Sequence, residues 1–422
     1  MFKKVLTAFI FNLSLIINAQ SWTQLADFPS TPRDDGSVFV INNKAYCFTG
    51  VGPTGCTGNG YVFDVATETW SAMASLPAGN ERQYAAAFTY SNIGYMMGGL
   101  NCSNIRLNDF WQYTPTTNSW TALPDFPGIG RLGTSNFIIK NKVYIIGGIL
   151  VNGTICNEVW EYNFTTSTWL QKNNIPVSGS HRGSAFVIDT LGYFCCGLNN
   201  TSSYNNYMYQ YNFVNDTWRR VSNLTLPAKY YVGTAVCNNK AGLYGGQDSA
   251  GTISNNYTVF NPLDSSLTNL TGIPTYGRKG GMVFSINNSF YITTGISTAF
   301  GHIKETWKNT ALVGLNELKI KNDDLKIYPN PTNDILNVEL GVLNGNTTYA
   351  LNIYNSIGQL IKVDEITFKN NLVVIDTKDL VNGVYVLTLF DGSTSLTTGT
   401  APSSPAQNDR LQTVSKRFVI AR

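Results

Sequence analysis

Basic residues recur at one phase of this sequence. Arg33, Arg82, Arg131, Lys229 and Arg278 each stand sixteen residues before a two-residue step: Thr49-Gly50, Gly98-Gly99, Gly147-Gly148, Gly245-Gly246 and Thr294-Gly295. Before the remaining step, Cys196-Gly197, the slot holds Ser180, with His181 and Arg182 directly after it. A guanidinium fork grips a carboxylate through two parallel hydrogen bonds, so cations gathered round one opening make a site for a carboxylate or an acidic sugar. The same fork also pairs with acids of its own chain. Asp109, Glu158 and Glu305 recur in phase with it, and Asp34, Asp35 and Glu81 stand beside it. Two readings are therefore open: a ligand-binding set of Arg33, Arg82, Arg131, His181, Arg182, Lys229, Tyr230 and Arg278, or a set of internal ion pairs.

Tyr84, Tyr230, Tyr231 and Tyr276 lie near the same phase and offer faces on which a sugar ring stacks. Catalysis has less to draw on. His181 and His302 are the only histidines, too few for a catalytic metal site. No Gly-x-Ser-x-Gly, His-Glu-x-x-His or phosphate-binding glycine loop occurs. The sequence nominates no catalytic residue, no metal ligand and no cofactor.

These residues sit on a repeat. Trp22, Trp70, Trp120, Trp169 and Trp218, with Leu267 in the same slot, are spaced 48, 50, 49, 49 and 49 residues apart. An aromatic precedes five of those slots by seven residues: Phe63, Tyr113, Tyr162, Tyr211 and Phe260. Between the markers run short alternating apolar stretches bounded by Gly, Asn, Pro and Thr, the pattern of β-strands. One unit is a four-stranded meander that cannot bury both faces alone, so the units must stack.

A glycine step ending the second strand, an aromatic third strand and a Trp opening the fourth resemble the kelch repeat. That resemblance implies a β-propeller with one unit per blade. Five complete units run from Arg33 to Thr271. The sixth supplies three strands, at about 279–286, 288–295 and 303–311, and Ser21–Leu25 is a fourth strand with nothing before it. The expectation is an all-β protein: a six-bladed propeller over 20–313, closed by the N-terminal strand. The long loops (50–59, 99–108, 148–157, 197–205, 246–255 and 295–302) then emerge on one face, opposite short turns such as Asn42-Asn43 and Asn287-Asn288. Ligand binding belongs to the long-loop face. Non-catalytic binding of a glycan or a protein is the expected role. The alternative is an enzyme, because bacterial six-bladed kelch propellers include sialic acid mutarotases.

Charged residues are 13% of the 422, and the net charge is +3, which excludes a strongly basic nucleic-acid or anionic-membrane binder. Lys3 and Lys4 followed by the apolar Val5–Ile17 and Ala19 read as a signal peptide over 1–19, too short to span a bilayer. No membrane-spanning segment is expected in the mature chain, which is expected to act as a monomer. Seven cysteines are an odd number; Cys56, Cys102 and Cys156 fall in corresponding loops, and their pairing stays open.

Residues 314–324 read as a linker, and 325–422 as a small antiparallel β-sandwich. Tyr328-Pro329-Asn330-Pro331, a turn ending at Gly358, Gly383-Val384-Tyr385 and a basic last strand with Lys416 and Arg417 resemble the C-terminal sorting domain of type IX secretion substrates. That family implies a source in the Bacteroidota, contact with the type IX machinery, and delivery to the cell surface or the medium. A Ser/Thr/Gly/Pro-rich insertion at 392–415 departs from its usual short turn.

Overall fold

The structure is a computed structural model that describes residues 22–221, 224–310, 325–340, 348–356, 359–368, 371–391 and 413–421. The expected signal peptide, the linker, Gly358 and most of the 392–415 insertion lie outside the described residues. The chain divides into two units, residues 1–315 and 316–422. Among the described residues no helix is long and apolar enough to cross a membrane.

Among the described residues the first unit contains six four-stranded antiparallel meanders, the blades of a propeller, the second extended by the short strand Arg82–Gln83. The first blade is Ser37–Ile41, Lys44–Phe48, Gly60–Asp64 and Thr69–Met73, and the next four repeat it to Ser266–Leu270. The sixth is composite: Met282–Ile286, Ser289–Thr293 and Thr306–Asn309 are completed by Trp22–Leu25, in a register from Trp22↔Asn309 to Leu25↔Thr306. Innermost strands turn into second strands through pairs such as Asn42-Asn43 and Asn287-Asn288. All four of those residues have φ between 49° and 60°, the left-handed geometry that tight hairpins need and Asn tolerates.

The tryptophans staple blade to blade. Trp70 Nε1 donates to the Ala26 carbonyl at 3.0 Å, Trp120 to Ala74 at 3.0 Å and Trp218 to Asn173 at 3.1 Å, each four residues past the preceding Trp slot. Trp22 makes the same bond to Thr271 at 2.8 Å, across the seam. Its ring is buried edge-on against Tyr244, Tyr257 and Phe290. Near the axis, hydroxyls of inner strands reach the next blade, as in Ser135 to Gly183 O at 2.8 Å and Ser184 to Val232 O at 2.7 Å.

Each inner strand alternates, burying one side chain between blades and turning the next, half-buried, to the central channel. Two rings of channel-facing residues result. Val38, Ala87, Asn136, Ala185, Thr234 and Val283 form one; Val40, Thr89, Ile138, Val187, Val236 and Ser285 form the ring nearer the short turns.

The second unit is a sandwich of a three-stranded sheet (Leu325–Tyr328, Ile335–Leu340, Leu372–Asp376) and a four-stranded sheet ending in Thr413–Ile420. Leu336, Val338, Leu351, Ile353, Leu387 and Phe418 are among its fully buried core. The Tyr328–Pro331 segment, with both X-Pro bonds cis, docks on the last strand. Asn330 does the docking: its Oδ1 accepts from Val419 N–H at 2.9 Å and its Nδ2 donates to Arg417 O at 3.2 Å, so an amide replaces a neighbouring backbone. Gly383 opens the strand paired with this one, and Lys416 and Arg417 lie on it, Arg417 exposed.

The closure gives a testable expectation. Trp22→Ala removes a buried indole at the seam and is expected to cost about 3–5 kcal/mol, read as a lower urea midpoint. Trp70→Ala, whose ring is only half-buried, should cost clearly less.

Candidate functional site

Six triplets lead into the inner strands: Arg33-Asp34-Asp35, Arg82-Gln83-Tyr84, Arg131-Leu132-Gly133, Ser180-His181-Arg182, Lys229-Tyr230-Tyr231 and Arg278-Lys279-Gly280. Their three positions do three different jobs.

The first position is structural, which corrects the expectation of a cationic binding ring. Arg33, Arg82, Arg131 and Arg278 are at most 1% exposed. Each Nη1 donates to the carbonyl sixteen residues on, Thr49, Gly98, Gly147 and Thr294, at 3.0–3.4 Å. Those carbonyls sit where the chain leaves the second strand in a left-handed step and loses its ladder partner. The Nη atoms also meet the acids that recur in phase: Arg82 grips both oxygens of Asp109 at 2.6 and 2.7 Å, Arg131 meets Glu158 at 2.7 Å, and Arg278 meets Glu305 at 3.0 Å. A Trp two residues past each acid also donates to it: Trp111, Trp160 and Trp307. Arg33 has the neutral Asn59 at 2.8 Å instead, and burial lowers its pKa to about 10. Lys229 fills the slot in the fifth blade by donating to Ser254 at 2.7 Å. Tyr276 is taken up by Glu305. None of these cations is free for a ligand.

The third position forms the floor. All six residues there, from Asp35 to Gly280, have φ between 55° and 65°. This turns their amides toward the neighbouring blade. Tyr84 N–H donates to Asp35 O at 3.0 Å, Gly133 to Tyr84 at 3.1 Å, Arg182 to Gly133 at 2.9 Å, and Tyr231 to Arg182 at 3.1 Å; Asp35 itself donates to Gly280 at 2.8 Å. Across the channel, Arg182 pairs with Asp35 of the opposite blade. The guanidinium lies 4.0 Å from the Tyr84 ring centroid and 4.5 Å from that of Tyr231, the two phenol oxygens being 3.4 Å apart. A charged sandwich thus plugs the channel. Gly133 is required by proximity as well as by φ, since a Cβ there would fall 2.3 Å from His181 Nδ1.

The second position lines the mouth above the plug, and each residue heads a row of three paired across the long loop. The rows are Asp34–Val51–Cys56, Gln83–Leu100–Arg106, Leu132–Ile149–Ile155, His181–Leu198–Tyr204, Tyr230–Gln247–Ile253 and Lys279–Ile296–His302. Contacts cross between rows. His302 Nε2 lies 3.2 Å from Asp34 Oδ1, Gln247 Oε1 accepts from Lys279 at 2.6 Å and from Tyr230 at 3.0 Å, and Tyr204 stands edge-on to Tyr230 at 5.3 Å. A disulfide, Cys56–Cys102, ties the loops of the first two blades, while Cys156 is buried with its sulfur 3.6 Å from Arg131 Nη1.

Burial and the Asp35 carboxylate push the Asp34 carboxyl well above the ordinary range. Burial, with the nearby charges of Arg182 and Arg106, lowers His181 to about 3, so its imidazole is neutral and adds no cation. Gln83 Oε1, Arg106 Nε and His181 Nδ1 are buried without a hydrogen-bond partner. Of the expected ligand set, the structure keeps only His181 and Tyr230 at the mouth and places Arg182 beneath it. Arg106, Tyr204, Lys279 and His302 were not nominated for binding. A signal for them existed: Arg106, Ile155, Tyr204, Ile253 and His302 stand 49 residues apart, on the same ruler as the tryptophans.

Residues 93–298 match the Attractin/LZTR1 beta-propeller model and 7–148 the KLHDC2/KLHL20/DRC7 Kelch-repeats domain; 326–399 match the secretion system C-terminal sorting domain. The chain therefore carries a kelch-repeat propeller and a type IX sorting domain, and is exported to the cell surface or extracellular space. Kelch-like protein terF of Aspergillus terreus is 31% identical over 118 residues, 25% of this chain and 26% of that one. N-acetylneuraminate epimerase of Escherichia coli O1:K1 is 31% identical over 129 residues, 29% and 34% of the two chains. The chain thus spans about a third or less of the curated relatives it matches. The solved structure of YjhT superposes with a TM-score of 0.58 at 17% identity, over 67% of this chain and 95% of that one, which establishes the shared fold.

The buried pairs predict an acid response. For Glu158 and Glu305 burial favours the neutral acid, but bonds from Trp160, Tyr276, Trp307 and the arginines outweigh it and hold both below 4.5. A carboxyl depressed in the fold contributes stability above its unfolded value and loses it as pH falls. The melting temperature should therefore drop below pH 4.5, and the Glu158→Gln/Glu305→Gln variant should melt lower at neutral pH with a shallower drop. Arg131→Ala, which strands Glu158, is expected to cost about 3 kcal/mol.

Proposed function

We propose that this exported propeller is a binding module that holds an acidic sugar, or the acidic end of a glycan, in the cup at its long-loop mouth. One observation carries the reading: the charges of the cup do not cancel. Arg182 and Asp35 neutralise each other in the floor, Asp34 is held toward its protonated form and His181 is neutral. Arg106 and Lys279 remain, with no acid in salt-bridge range among the described residues. Tyr204 and Tyr230 offer ring faces, Gln83 and Gln247 offer amides for hydroxyls, and the row Leu132–Ile149–Ile155 is an apolar wall. A saccharide needs this mixture, and a carboxylate supplies the missing charge.

A second reading, a sugar mutarotase, draws on the match to proteins named N-acetylneuraminate epimerase and on the Asp34–His302 contact. Opening a sugar ring needs one group to give a proton and another to take one. An aspartic acid beside an imidazole supplies both.

Calorimetry with N-acetylneuraminate and neutral N-acetylhexosamines tests the first reading. Binding of the acidic sugar is expected, with a loss of about tenfold or more on Lys279→Ala or Arg106→Ala and none on Lys44→Ala, beside the Asn42-Asn43 turn on the opposite face. Equal affinity for neutral sugars, or no loss in either cup variant, would sink it. Exchange of anomers followed by NMR tests the second: the protein should accelerate it, and Asp34→Asn should abolish the acceleration while the sugar still binds.

A further inference from the structure

The channel has another end. Beneath the Arg182–Asp35 plug lies a cavity of about 310 Å³, lined from four of the six blades by Val38, Val40, Thr89, Thr234, Val283 and Ser285, with parts of the neighbouring strand residues. Its outer ring stands two residues from the short hairpin turns, as Val40 does from Asn42 and Ser285 from Asn287, so access is from the face opposite the cup. Not one of the twelve channel-facing side chains ionises. Their polar groups are the hydroxyls of Thr89, Thr234 and Ser285 and the amide of Asn136. The Thr234 hydroxyl is turned to Ala185 O at 3.4 Å, and Thr89 Oγ1 is buried with no partner.

Such a space, open to solvent at the short-turn face, is poor for ions. An ion brought between walls that hold no countercharge loses hydration with nothing to offset it. An apolar cavity of roughly 150 Å³ holds a benzene-sized molecule, so by volume alone this open well takes on the order of a dozen heavy atoms. We propose that this well is a second ligand site, for a small neutral amphiphile: an aryl or branched alkyl body with one hydroxyl or carbonyl. The apolar body meets the valines, and the single polar group meets the hydroxyl of Ser285. The plug separates it from the cup, so the two ends of one channel take ligands of opposite character. The inference is independent of any sugar at the mouth.

Titration of the full-length protein with 2-naphthol, followed by its fluorescence and by ligand-detected NMR, tests this. Saturable binding at one site per chain is expected, unaffected by saturating N-acetylneuraminate. Val283→Trp, which fills the well, and Thr234→Lys, which charges it, should each weaken binding at least tenfold. Thermal melts identify which variants retain the folded propeller, and either one alone suffices. Absence of saturable binding, unchanged affinity in a folded variant, or displacement by the acidic sugar would overturn the proposal.

Discussion

The structure depends on a strand borrowed from the other end of the propeller. A blade is a twisted sheet with apolar side chains on both faces, and it becomes stable only between two neighbours. Trp22–Leu25 lets the sixth blade meet the first as every other pair meets. The Trp22 indole repeats at the seam the bond that Trp70, Trp120 and Trp218 make elsewhere. Closure at six also fixes what faces what across the axis. Arg182 meets Asp35, and Tyr84 meets Tyr231, because each pair is three blades apart. Five or seven blades would put no residue opposite another.

The buried arginines show how the fold frees its loops. Where a second strand ends in a left-handed step, one carbonyl points into the interior without a ladder partner. Leaving it bare would cost about 1–3 kcal/mol. A guanidinium from the preceding loop answers it, and an acid at the start of the third strand answers the guanidinium. In the second, third and sixth blades both ends of the long loop are thus pinned beneath the surface, and the residues between are released from structural duty. The rows at the mouth can then differ from blade to blade, from Leu132–Ile149–Ile155 to Lys279–Ile296–His302, without altering the frame.

Much of the frame was legible in the sequence, because a repeat writes each structural role six times. The tryptophans, the glycine steps and the unpaired strands at the two ends of the array each had one role per unit. The site was harder to read. Three consecutive residues, as in Arg82-Gln83-Tyr84, go respectively between blades, to the mouth and to the axis, and composition favours the first, since arginine looks like a ligand-gripping residue. Left-handed backbone at the third position is invisible when the residues are Asp, Tyr and Arg as well as Gly. Pairing of Cys56 with Cys102 was equally hidden: Cys156 occupies the corresponding loop but is turned inward against Arg131.

The plug would let the proposed acidic-sugar site discriminate by charge. Two cations on an open surface would be screened by water and salt, and their pull on an anion would be small. Here the channel behind them is filled by protein, with Arg182 held between Tyr84 and Tyr231, so solvent reaches the cup from one side only. The floor brings a dipole rather than a net charge, because Arg182 and Asp35 cancel. Against that neutral base the half-buried charges of Arg106 and Lys279 would act on a bound anion at a lower effective dielectric than in bulk water, where the same separation is worth more. The closure of the ring, which places Arg182 opposite Asp35, would therefore also strengthen the two loop cations toward the proposed ligand.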